Sequence, residues 1–160
     1  MDDEAPAGVG HMKLVARPRS LFTFEFDVLD DSETVVASFR HRAFRATGSI
    51  TVDGEQFEVR RVGTGLAVES DGRRPVKVES SGRGQMQVEW KGGRLQLARA
   101  GLGFRLHVIA DGALVGSLGL RDLFGRTMIF DMEREVPPLV AAALFYLAVA
   151  RRRQLLMIGS

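Results

Sequence analysis

From residue 21 onward, hydrophobic and polar residues alternate with period two, the mark of strands that bury one face. Phe22, Phe24, Phe26 and Val28 alternate with Thr23, Glu25 and Asp27 in the clearest such run. Asp30-Asp31-Ser32 then makes a turn into a second run, Thr34 to Phe39. Further along, Asp53-Gly54, Gly92-Gly93 and Asp111-Gly112 are hairpin signals that supply the positive φ of tight primed turns, and Asp71 to Pro75 makes a looser turn in the same rhythm. The pattern predicts roughly twelve short strands, the last running from Arg126 to Met132, and such regular spacing indicates a sandwich or a barrel.

The rhythm breaks near the end. Pro137 and Pro138 forbid further strand pairing and suit the first turn of a helix. Leu139 to Ala150 is then a run without charge, stopped by Arg151, Arg152 and Arg153. Glu133 and Glu135 before it and the arginines after it both suit the helix dipole. A helix that is apolar on every side has to be surrounded, by protein or by lipid. These residues reach only about 18 Å against roughly 30 Å of bilayer hydrocarbon, and the arginines interrupt any extension through Leu155 to Ile158. The run therefore reads as a helix enclosed by strands, not a transmembrane segment. A closed barrel of about twelve strands has a radius near ~12 Å, too wide for its side chains alone to fill, and a helix about 10 Å across fills it. The predicted fold is mainly β: a closed barrel of about twelve strands enclosing a hydrophobic C-terminal α-helix.

The 160 residues, 45% hydrophobic and 26% charged, suffice for one domain with one core. Residues 1–11 carry Asp2, Asp3 and Glu4 followed by Ala, Pro and Gly, unlike a signal peptide, and His11-Met12 resembles a cloning junction. They are expected to be a disordered extension or tag, with 12–158 as the domain. The absence of cysteine removes disulfides, thiolate nucleophiles and the usual zinc sites, and fits a cytoplasmic protein.

The net charge of +2 conceals an asymmetry: residues 1–35 carry −5, 36–72 carry 0, 73–105 carry +6 and 106–160 carry +1. The basic excess lies in one stretch.

With its strand count, its opening Leu21-Phe22-Thr23-Phe24-Glu25-Phe26-Asp27-Val28, and Leu123-Phe124-Gly125-Arg126 through Phe130-Asp131 into the apolar helix, the chain from Met12 to about Leu156 resembles the tubby C-terminal-like superfamily. That group includes the LURP-one-related proteins and the phospholipid scramblases. The resemblance implies a barrel around a helix and binding in preference to catalysis, with basic residues on phosphoinositide or phospholipid headgroups. It also implies a calcium-associated acidic stretch before the helix, here Asp131, Glu133 and Glu135, whose carboxylates fall on one strand face if the strand continues. Arg134 interrupts that stretch, and the Pro-rich region and cysteine cluster of scramblases are missing, which argues against scrambling and against a tight calcium site.

The leading candidates for an anionic ligand are Arg73, Arg74, Lys77, Lys91 and Arg94, with Lys91 expected opposite Arg94 and Trp90 opposite Leu95 across the Gly92-Gly93 turn. A second basic cluster, Arg40, Arg42 and Arg45 with Arg60 and Arg61, forms if Val35 to Arg40 and Glu55 to Val62 are neighbouring strands. His41 and His107 read as strand-surface residues, Gly101-x-Gly103 as a loop, and there is no Gly-x-Ser-x-Gly elbow or phosphate-binding loop. The sequence thus predicts a non-enzymatic module without cofactor or metal that recognises anionic phospholipid headgroups, cytoplasmic and peripheral at the membrane. The alternative is a protein-interaction or structural module without its own ligand. Nucleic acid is disfavoured because Trp90 and Phe104 have inward parity, unavailable for base stacking.

Overall fold

The computed structural model describes residues 10–20, 24–42, 47–82, 84–100, 105–121 and 126–158. Twelve strands are formed: β1 (Met12–Pro18), β2 (Glu25–Leu29), β3 (Val35–His41), β4 (Gly48–Val52), β5 (Glu55–Val62), β6 (Gly65–Ser70), β7 (Arg73–Gly82), β8 (Gln85–Trp90), β9 (Gly93–Arg99), β10 (Leu106–Ala110), β11 (Ala113–Leu120) and β12 (Met128–Met132). Each pairs antiparallel with the next, and β1 pairs with β12, so the meander closes into a barrel and leaves no edge strand. One helix follows, α1 (Pro138–Ile158).

Turn chemistry sets the register. Asp53-Gly54, Asp71-Gly72 and Asp111-Gly112 all hold positive φ at both positions, with the aspartates at 50–51° and the glycines at 77–79°. The turn at Asp71 is therefore a tight hairpin and not the looser one expected. At Asp30 the side chain takes over: Oδ1 accepts the N–H groups of Ser32 at 2.8 Å and Thr34 at 3.0 Å. The β8–β9 hairpin departs from the expected register. Trp90 pairs with Gly93, so Lys91-Gly92 is the turn, Arg94 faces Glu89, and Leu95 faces Val88. The reason is steric: the indole folds across the hairpin end, and a Cβ on Gly93 would lie 2.8 Å from its Cζ2.

Away from the strand ends the buried inward-facing residues are apolar, as in Phe26 and Val28 of β2, Val88 of β8, and Leu95 and Leu97 of β9. Every helix residue from Val140 to Val149 is at most 9% exposed, so the helix is covered on all sides by the barrel wall. At about 1.5–3 kcal/mol for each large buried side chain, Leu144, Phe145 and Phe130, which meets Phe145 edge-on, make this wall-to-helix contact the principal core. The arginines do not stop the helix. Burial falls at Ala150 and Arg151, both half-buried, while the helical backbone runs on to Ile158. Arginine is a good helix former, and Arg151 marks the far end of the buried part of α1. No helix among the described residues is long and apolar enough to cross a membrane.

Because successive strands reverse direction, connections alternate between two rims. The near rim, where α1 starts after β12, holds the tight turns at Asp30, Asp53, Asp71, Lys91 and Asp111. The far rim, where α1 emerges, holds the connections after β1, β3, β5, β7, β9 and β11. There Tyr146 meets His41 with ring centroids 5.2 Å apart, and Arg151 Nη1 donates to the Gly84 carbonyl at 2.7 Å. His41 consequently points inward and is not a surface residue, whereas His107 sits on the outward face of β10.

Candidate functional site

The alternation of rims divides the basic stretch 73–105. Arg73, Arg74, Lys91 and Arg94 belong to the near rim, Lys77 lies along β7, and Arg99 and Arg105 belong to the far rim. Near-rim charges are largely matched. Arg73 Nη2 lies 3.1 Å from Glu55 Oε2, Arg74 Nε pairs with Glu69, and Arg94 Nε stands 3.9 Å from Glu89 Oε1. Lys77 stands in register with Glu89. Lys91 sits on the hairpin tip without an ion pair among the described residues.

The second basic cluster is not assembled as expected, because β4 lies between β3 and β5. Arg40 Nε is 3.3 Å from Glu25 Oε1, and Arg60 is shared between Glu58 and Glu69. Arg42 is exposed, and Arg45 lies outside the described residues. The acidic candidates are also dispersed. β12 ends at Met132, so Asp131 alone is on the strand, bonded to His11 Nε2 at 2.9 Å. Glu133 and Glu135 belong to the connection into the helix, tied by Glu133 N–H to the Val115 carbonyl at 2.8 Å and by Gly10 N–H to the Glu133 carbonyl at 3.2 Å. No group of three metal-ligating side chains occurs among the described residues. These contacts also attach Gly10 and His11 to the barrel, although the sequence assigned them to the extension; residues 1–9 lie outside the described residues.

The far rim carries a different set. Arg42, Arg61, Arg99, Arg105 and Arg121 are all exposed, and none forms an ion pair among the described residues. Arg99, Arg105 and Arg121 stand at the far ends of the adjacent strands β9, β10 and β11: Arg99 pairs with Leu106, the Ala100 N–H donates to the Arg105 carbonyl at 3.1 Å, and a Cβ on Gly119 would lie 3.5 Å from Arg105 Cα. Arg126 is held otherwise. Its guanidinium lies 4.7 Å from the Phe24 ring centroid and 5.6 Å from that of Phe26, while Nη1 donates to the Ser20 carbonyl at 3.0 Å. Burial lowers its pKa below the ordinary arginine value, yet an arginine so placed keeps its charge. It ties the β11–β12 connection to the β1–β2 connection.

Six turn carboxylates stand at the opposite rim, Asp30, Asp31, Glu33, Asp53, Asp71 and Asp111, while Glu25, at the far end of β2, is matched by Arg19 and Arg40. Turn chemistry accounts for several of them, since aspartate suits left-handed backbone; no such requirement places arginines at the far rim. Exposed large hydrophobics are scattered: Val35 and Leu114 at the near rim on nonadjacent strands, Val62 at the far rim. No family model matches the chain, and neither the curated proteins nor the solved structures contain a match to it.

Proposed function

We propose that this barrel is a non-catalytic module that docks on anionic phospholipid headgroups, using its far rim. The observation that carries this reading is the axial segregation of charge: five exposed arginines without carboxylate partners among the described residues stand at one rim, and the turn carboxylates occupy the other. A guanidinium suits phosphate through paired N–H donors and stays charged at any physiological pH. A field of this polarity orients the barrel with its arginine rim toward a negative surface. The resemblance to the tubby C-terminal-like superfamily supports the same class of ligand, and the absence of an apolar patch shared by neighbouring strands among the described residues weighs against a protein-interaction module. The reading moves the ligand surface from Arg73, Arg74, Lys77, Lys91 and Arg94, most of whose charge is matched, to the arginines of the far rim. Cosedimentation with anionic and neutral vesicles tests it: salt-sensitive recovery on anionic vesicles alone is expected, and equal recovery on both overturns it.

A further inference from the structure

At the near rim β9 outruns β10. Their pairing ends at Gln96 and Ile109, so Gly93, Arg94 and Leu95 have no partner residue on β10, and the hairpin tips Lys91-Gly92 and Asp111-Gly112 stand apart. Between them lies a notch of about 810 Å³, within the range of small-molecule sites. Lys91, Asp111 and Arg134 line it, and none of the three makes an ion pair among the described residues. Arg134 is half-buried, and the residue before it, Glu133, is held by backbone hydrogen bonds to Val115 and Gly10. Ile109 and Trp90 give the notch an apolar wall.

Lys91, Arg134 and Asp111 therefore face one cavity without an ion pair among the described residues, beside Glu89 and Arg94, which stand 3.9 Å apart on its wall. At the same rim Arg73 and Arg74 meet Glu55 and Glu69, whereas Lys91, Asp111 and Arg134 have no ion-pair partner among the described residues. A ligand carrying both signs satisfies all three. We propose that the notch binds a small zwitterion, its ammonium on Asp111 and its carboxylate or phosphate on Arg134 and Lys91, with its apolar part against Trp90 and Ile109. This site is separate from the far rim and does not depend on lipid binding.

Trp90 is the sole tryptophan, so its fluorescence reports on the notch. Glycyl-phenylalanine and phosphoethanolamine are titrated as the carboxylate and phosphate probes, beside N-acetylglycyl-phenylalanine, which lacks the ammonium, and glycyl-phenylalanine amide, which lacks the carboxylate. Saturable binding of a zwitterion is expected; for the dipeptide, either single-charge analogue should bind about tenfold more weakly. Arg134→Gln and Asp111→Asn should each weaken the bound zwitterion by about tenfold with an unchanged melting temperature, since asparagine tolerates the left-handed backbone at 111. Which zwitterion binds identifies the source of the anion. No saturable change with either zwitterion, equal affinity for a single-charge analogue, or binding untouched by both substitutions overturns the proposal.

Discussion

Tyr146 of the helix fills the space that Gly48 leaves at the start of β4. A Cβ on Gly48 would lie 2.6 Å from Tyr146 Cε2, 2.8 Å from its hydroxyl oxygen and 2.2 Å from the Arg40 carbonyl oxygen. The glycine is thus a seat for the largest side chain of the core, and the backbone of β3 closes the seat on its other side. Gly48→Ala should destabilise the barrel by about 1–3 kcal/mol, the usual cost of overpacking a site that cannot relax. Chemical denaturation of the variant against the wild type measures it. A change within about 0.5 kcal/mol would show that the helix shifts freely inside the barrel.

The enclosure of α1 is tested one helical turn earlier. Ala143 is 3% exposed and surrounded by core, so Ala143→Arg buries an unpaired guanidinium. Such a charge costs several kcal/mol, comparable with the whole stability of a domain of this size, and the variant should fail to fold. Circular dichroism and near-ultraviolet fluorescence report the outcome; a folded variant with wild-type melting would mean that the helix does not stay inside.

Calcium should leave the protein unchanged. Asp131 is engaged by His11, and Glu133 and Glu135 lie beyond the end of β12, exposed in the connection to the helix. Without several oxygen ligands on one cation, binding is too weak to stabilise the fold. Millimolar calcium is expected to move the melting temperature by less than about 1 °C; a rise of several degrees, lost in Asp131→Asn, would restore the acidic stretch as a site.

The barrel was legible because period-two alternation and Asp-Gly turns encode strands locally, and because an all-round apolar helix has nowhere to go except inside. The arginine rim was not, for a geometric reason. In an up-and-down barrel the charge of consecutive residues does not accumulate in space: Arg94 and Arg99 are close in sequence and point to opposite rims, whereas Arg42, Arg61, Arg99 and Arg121 are distant in sequence and share one. Sorting connections by parity, odd-numbered from even-numbered, would have revealed the arginine rim from the sequence alone. The β8–β9 register was missed for a different reason. Gly92-Gly93 offers two glycines, but the second is required by the indole of Trp90 and not by the turn.

The two rims give the lipid reading its sharpest test. Each arginine near an anionic surface contributes about 1 kcal/mol, so reversing two of them removes at least about 2 kcal/mol, roughly thirtyfold in affinity. Arg99→Glu with Arg105→Glu changes two exposed far-rim side chains that form no ion pair among the described residues, and should abolish most recovery on anionic vesicles at low salt. Arg73→Glu with Arg74→Glu changes the same net charge at the near rim, where both arginines are already matched by Glu55 and Glu69. If bulk charge governed binding, the two double variants would behave alike. If the far rim is the docking face, the first loses binding and the second keeps most of it, and the loss in the first shrinks as salt shortens the screening length to below about 10 Å. The opposite ranking would return the ligand surface to the 73–94 hairpins.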